Sequence, residues 1–172
     1  IPVACYDFFG LSNMQFILID QITELNEGSD ITAIKALSIA EEYLRDHFPL
    51  FPVMPGVLML EGLFQASAWL VRQSENFSNS MVILKEARNV KYSGFVAPGQ
   101  TLLIKATITN QDETTTSLKA TGEVDGETVL SCKLLVERFN LKDRYPDRAS
   151  MDAYAIKALR EQFSLLYQPK TD

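Results

Sequence analysis

Apolar and polar residues alternate through most of the chain, and one segment breaks the alternation. Residues 15–25 (QFILIDQITEL) and 31–38 (ITAIKALS) are rich in β-formers and partly alternating. The turn segment NEGSD at 26–30 joins them, which predicts a β-hairpin. Four later stretches read as strands. Residues 81–91 are MVILKEARNVK. Residues 101–109 place Leu102, Ile104, Ala106 and Ile108 on one face, 114–124 place Leu118, Ala120 and Val124, and 127–138 place Leu130, Cys132, Leu134 and Val136. These faces fit strands buried on one side of a sheet. Asp125-Gly126 is a strong signal for a two-residue hairpin.

The break is Val53 to Val71, VMPGVLMLEGLFQASAWLV, which is apolar almost throughout. Residues 39–52 before it hold HFPLFP, whose prolines disfavour regular structure. Pro55 suits the first turn of a helix, where a missing N–H costs nothing. A helix is therefore predicted from about Gly56 to Glu75, stopping in SENFSNS at 74–80. Its length approaches the ~20 apolar residues of a membrane span. Pro55, Glu61 and Gln65 favour a buried core helix instead, with no membrane span. A helix apolar nearly all round must be covered on nearly all sides. Hairpin, long helix and antiparallel meander make an α+β fold, with the sheet wrapped around the helix and an oligomer partner covering the rest.

Residues 1–139 are read as this domain and 140–172 as a C-terminal extension. In the extension Ser150 is expected to cap a helix over 151–167, with Met151, Tyr154, Ala155, Ala158, Leu159 and Leu166 on one stripe and Pro169 ending it. It is expected to pack on the domain or on a partner subunit, the alternative being a lid near the active site.

Composition narrows the chemistry. The chain has 172 residues, is 47% hydrophobic and carries a net charge of −6, so it can bury a core and is a poor general binder of nucleic acid. It opens on Ile1 rather than Met and reads as a trimmed start, with no basic-then-apolar signal pattern. Cys5 and Cys132 are widely separated, which points to a reducing, cytoplasmic compartment. With one histidine, His47, and two cysteines, a Cys/His zinc site is not expected.

Glu61 is the sole ionisable group between residues 53 and 71. Burial raises a carboxyl's pKa, and a carboxyl that is neutral near pH 7 can serve as a general acid. Val57, Glu61, Gln65 and Ala68 share one helix face, so Gln65 can hydrogen-bond the carboxyl and orient it. Histidine titrates near neutrality as a side-chain class, which suits His47 to a general base. Free N–H groups at the helix start, Gly56 and Val57, can meet a developing anion. Read alone, Glu61 could equally be a structural carboxyl, and His47 a residue without chemical role.

The run HFPLFPVMPGVLMLEGLFQ, 47–65, closely resembles the signature of the 3-hydroxyacyl-acyl carrier protein dehydratases of type II fatty acid synthesis. That family has His-Phe-Pro-Gly, then Pro-Val-Met-Pro-Gly-Val-Leu, then Glu-Ala-Met-Ala-Gln. The spacing of 14 from His47 to Glu61 matches. VKYSGFVAPG at 90–99 resembles the family's Val-Lys-Phe-Arg-Arg-Pro-Val-Val-Pro-Gly, and QFILIDQI at 15–22 its opening strand. The resemblance covers roughly 15–138 and implies the hotdog fold.

It further implies a hydro-lyase. His47 would remove the α-proton of a 3-hydroxyacyl thioester, Gly56 and Val57 N–H groups would hold the thioester oxygen, and Glu61 would protonate the leaving hydroxyl. No cofactor is implied beyond the phosphopantetheine of acyl carrier protein, which carries the substrate. Acyl carrier protein is the implied partner. The resemblance also implies a homodimer whose sites are shared between subunits, and leaves open its assembly into a trimer of dimers. Val57, Leu58, Phe64 and Phe95 are candidate walls of an acyl tunnel. Arg88, Lys91, Lys133 and Arg138, joined by Arg144 and Arg148, are candidate cations for docking an acidic carrier.

The chain departs from the pattern at Leu50, where the family has glycine, at Gly62-Leu63-Phe64, at Ser93-Gly94-Phe95 in place of a basic pair and proline, and in its C-terminal helix. These departures keep two alternatives in view: a weakly active or inactive hotdog subunit that binds acyl carrier protein, and a hotdog thioesterase. An isomerising dehydratase is disfavoured because such relatives tend to carry Asp at the position of Glu61.

Overall fold

The computed structural model describes residues 17–48 and 50–169. Cys5 and the first two residues of the expected opening strand lie outside them. Six strands form one antiparallel sheet: β1 (Gln21–Asn26), β2 (Asp30–Ala36), β3 (Met81–Tyr92), β4 (Thr101–Gln111), β5 (Thr115–Val124) and β6 (Glu127–Phe139). Their spatial order is β1-β2-β4-β5-β6-β3. The long helix, α1 (Gly56–Ser74), lies in sequence between β2 and β3 and packs against β2 through β6.

The alternation seen in the sequence is the burial pattern of the sheet. Ile31, Ala33, Leu102, Ile104, Ala106, Leu118, Ala120, Leu130, Leu134 and Val136 are all buried on its inner face. Against them α1 sets Met59, Leu63, Phe64, Ala66, Leu70 and Val71. Cys132 is a free, buried thiol in this core. Asp125 and Gly126 both adopt positive φ, 52° and 85°, as the two-residue hairpin turn requires.

Two boundaries differ from expectation. Within the described residues the opening strand begins at Gln21, and Leu18 and Ile19, expected in it, lie outside any strand and are buried in the core. The apolar run signalled burial there rather than sheet pairing. The tail helix, α3 (Ala149–Leu166), starts before Ser150, follows Arg148 and has no side-chain cap.

The buried stripe of α3 is Asp152, Ala155, Leu159 and Leu166, while Tyr154 is exposed. Its register is set by contacts at the far end of α1. Phe163 packs on Trp69 at 5.9 Å and on Phe77 at 5.6 Å between ring centroids. Arg160 Nη2 donates to the Asn76 carbonyl at 2.5 Å and to Asn76 Oδ1 at 2.9 Å, bracing Asn76 and Phe77, which both have positive φ. A short helix, α2 (Leu141–Arg144), is capped by Asn140 and Asp143. Asp152 accepts hydrogen bonds from Ser80 Oγ, the Leu141 N–H at 2.7 Å and the Lys142 N–H at 3.1 Å. The tail thus closes the C-terminal end of α1. At 1.5 Å per residue that end lies about 28 Å from the helix start.

Candidate active site

The N-terminal end of α1 is built differently. Pro55 precedes the helix, and no side chain caps it. The Leu58 and Met59 N–H groups bond the Pro55 carbonyl at 2.9 and 3.1 Å. Among the described residues the Gly56 and Val57 N–H groups make no hydrogen bond, as the first turn of an uncapped helix leaves them. Val57 is 71% exposed. The face that begins there sinks into the protein through half-buried Glu61 and Gln65 to buried Ala68.

Glu61 and Gln65, one helical turn apart, form a directed pair. The Leu18 N–H donates to Gln65 Oε1 at 3.0 Å, and Gln65 Nε2 donates to Glu61 Oε1 at 3.0 Å. Because the amide oxygen is occupied by a backbone donor, its nitrogen is turned toward the carboxyl. Burial pushes the Glu61 pKa above the ordinary carboxylate range, and the Gln65 hydrogen bond opposes this without cancelling it. Glu61 therefore holds its proton to a higher pH than a free glutamate.

His47 lies in the loop between a 3-10 turn (Glu42–Leu44) and α1, half-buried, with its ring edge-on to Phe48 at 4.5 Å. The loop is tied at both ends. Upstream, Lys35 Nζ bonds Glu41 at 2.9 Å and Asp20 at 3.1 Å. Downstream, Phe51 packs edge-on against Phe95 at 6.0 Å, and the Met54 N–H bonds the Val96 carbonyl at 2.9 Å. Within the single chain His47 makes no hydrogen bond or ion pair with Glu61 among the described residues.

Other expected residues fall in several places. Leu58 is half-buried and Phe64 is buried in the core, whereas Phe95 is 64% exposed and meets Phe51 rather than the helix. Leu50 is fully exposed within the single chain. Ser93-Gly94 is fixed by β6: Ser93 Oγ bonds the Thr128 carbonyl at 2.7 Å, and a Cβ at Gly94 would stand 2.7 Å from Val129 Cγ1. No side chain fits at Gly94 while Val129 stays in place.

Of the docking cations, Arg88, Lys91 and Lys133 are exposed, with Arg88 directly opposite Lys133 across β3 and β6. Arg88 also pairs with Glu86 at 2.6 Å. Arg138 corrects the expectation. It is buried, ion-paired to Glu75, and donates to the Asp112 and Thr115 carbonyls, so it ties the sheet to the end of α1. It occupies an inward position of β6, and the Arg type alone drew it into the docking set. Arg144 pairs with Glu137 at 2.9 Å and lies over Phe139, and Arg148 lies over Tyr145.

Three features escaped the sequence reading. Lys119 lies opposite Lys133 on its other side, extending the cationic row to β5. Lys35 anchors the His47 loop, and its inward place after Ile31 and Ala33 was readable from the two-residue period. Tyr92 packs its ring against Gly56, a contact between residues 36 positions apart that no spacing rule reveals. Among the described residues no group of three or more His, Cys, Asp or Glu is placed to hold a metal, and no helix is long and apolar enough to cross a membrane.

Comparison with known proteins identifies the family and the fold. Residues 11–133 match the FabA-like domain family. The chain is 39% identical over 119 residues to a 3-hydroxyacyl-[acyl-carrier-protein] dehydratase FabZ of Rickettsia bellii, covering 69% of this chain and 82% of that protein. It is 42% identical over 93 residues to the FabZ of Wolbachia pipientis, covering 54% of this chain and 65% of the relative. Among solved structures, the dehydratase heterocomplex ApeI:P of Xenorhabdus doucetiae superposes with a TM-score of 0.59 at 19% identity, over 75% of this chain and 87% of that one. At that identity the likeness shows the fold, which is the hotdog.

Proposed function

The chain belongs to the FabA-like family, and from that premise we propose that it dehydrates 3-hydroxyacyl groups carried on acyl carrier protein to trans-2-enoyl groups, as a hydro-lyase of fatty acid or related lipid synthesis. The observation that carries the reading is the pairing of two features at one helix end: a carboxyl whose pKa is raised by burial and which is aimed by Gln65, beside two N–H groups that are unbonded among the described residues.

The step is balanced within the residues named. His47 takes the proton from C2 of the substrate. The negative charge that develops on the thioester oxygen is met by the Gly56 and Val57 N–H groups. The C3–O bond breaks, Glu61 gives its proton to the departing hydroxyl, and water leaves. His47 is then protonated and Glu61 ionised, and proton exchange with solvent resets both. The step calls for an acid, a base and hydrogen-bond donors, with the phosphopantetheine of the carrier as the substrate's handle.

The acid and base of one site are assigned to different subunits of a homodimer. The lack of a hydrogen bond or ion pair between His47 and Glu61 of one chain, among the described residues, supports this. So does the exposed apolar surface around the helix start: Phe48, Leu50, Phe51, Val57 and Phe95 are each more than half exposed. In this reading Leu58, Phe64 and Phe95 line an acyl tunnel. Arg88, Lys91 and Lys133, with Lys119 added, form the face offered to the acidic carrier. Two far-separated cysteines support a reducing, cytoplasmic setting.

The test is hydration of a 2-enoyl thioester, followed by loss of enoyl absorbance, for the wild type, His47→Ala and Glu61→Gln. Turnover by the wild type alone is the expected result. Equal rates in all three would overturn the assignment, and release of free acid would point to the thioesterase.

A further inference from the structure

Resting on that reaction, we propose that the Tyr92 hydroxyl is a third hydrogen-bond donor to the thioester oxygen of the substrate, beside the Gly56 and Val57 N–H groups. β3 ends at Tyr92, and the tyrosine ring is seated on the first residue of α1. A Cβ built at Gly56 would stand 2.9 Å from Tyr92 Cε1 and 3.3 Å from Tyr92 Cζ. Cζ carries the hydroxyl, so the hydroxyl is borne on the ring edge that is seated against Gly56, the first residue of α1. Gly56 thereby has a second role besides admitting substrate: its lack of a side chain lets the ring close on the helix.

Three further observations bear on the hydroxyl itself. Tyr92 is 47% exposed, so a ligand can reach it. Among the described residues its hydroxyl makes no hydrogen bond, which leaves its proton free to donate. Burial, with a smaller contribution from Cys132, pushes its pKa up, so it remains an O–H donor across the neutral range. The packing on Gly56 uses ring carbons, which a phenylalanine would supply equally, so the contact does not require the hydroxyl.

Tyr92→Phe keeps the ring and removes the donor. A donor that strengthens as charge develops acts on kcat more than on KM. For Tyr92→Phe we expect kcat on a 2-enoyl-pantetheine thioester to fall roughly tenfold, the worth of one neutral hydrogen bond. KM should change by less than about twofold. The carbonyl stretch of the bound thioester, measured by infrared difference spectroscopy, should move toward its frequency in water. An unchanged kcat and stretch would overturn the proposal, as would a rise in KM alone, which would place Tyr92 on the pantetheine arm. Loss of turnover in His47→Ala shows that the underlying reaction stands. If the wild type itself fails to turn over, the reaction falls, while the carbonyl stretch still reads whether Tyr92 donates.

Discussion

Near the two ends of α1 lie partly or fully buried carboxylates whose surroundings drive them in opposite directions. Near the C-terminal end, Asp152 loses solvation by burial, but the donors Ser80, Lys142 and Leu141 outweigh that loss and hold its pKa below the ordinary range. Near the N-terminal end, Glu61 is also desolvated, but it is served by the single amide of Gln65, and its pKa is raised. The backbone repeats the contrast. Arg160 closes the Asn76 turn after the helix, whereas the Gly56 and Val57 N–H groups before it are open. One end is satisfied and carries stability. The other is under-satisfied, and the cost of leaving donors and a proton available is what a reactive site requires.

Changes at the open end should have the largest effect, and chiefly on rate. His47→Ala and Glu61→Gln should each lower kcat for enoyl-thioester hydration by about 10²–10⁴-fold, with thermal unfolding at neutral pH little lowered. A comparable loss of folding stability would erase the contrast.

At the closed end, Phe163→Ala removes the ring between Trp69 and Phe77. Denaturant unfolding should report a loss of about 2–3 kcal/mol, with kcat unchanged at temperatures where the variant is folded. A drop in kcat would show that the two ends are coupled.

The carboxylates give a pH test of smaller amplitude. Glu61 binds its proton more tightly folded than unfolded, so its stabilising share is present at low pH. That share is lost as pH rises from the ordinary carboxylate range through the raised folded value. Glu61→Gln should therefore gain on the wild type as pH rises over that window. Asp152 has the opposite sign: its share is present above the ordinary range and lost as pH falls toward the depressed folded value. Asp152→Asn should be less stable near neutrality, and its deficit should shrink in acid. Melting temperatures across pH check both, and parallel curves would refute the opposition.

The smallest change sharpens the open end. Gln65→Leu removes the hydrogen bond that lowers the Glu61 pKa, so the alkaline fall of kcat/KM, where Glu61 loses its proton, should shift to higher pH. A shift to lower pH would mean that Gln65 does not favour the charged carboxylate.

Much of this contrast was legible in the sequence. Two-residue periods at Leu102–Ile108 and Leu130–Val136 located the sheet, and the apolar run after Pro55 located α1, because local geometry sets both. Glu61 stood out as a charge inside an apolar helix, and Gln65 followed at one turn. The tail helix was legible as an element, but its register and buried face were not, since Asp152 is turned inward by Ser80 and the α2 backbone, contacts distant in sequence. Arg138 was misplaced for the same reason: its partners Glu75, Asp112 and Thr115 lie on three other segments. The pattern could not reveal the seat of Tyr92 on Gly56, which arises only where β3 ends beside the start of α1.

The proposed completion of the open end by a second subunit can be checked by mixing His47→Ala with Glu61→Gln after dissociation and reassembly. If base and acid come from different subunits, each mixed dimer regains one intact site, and random reassortment should restore about a quarter of wild-type turnover. If both come from the same chain, every site keeps one lesion, and the mixture should be as inactive as its parents.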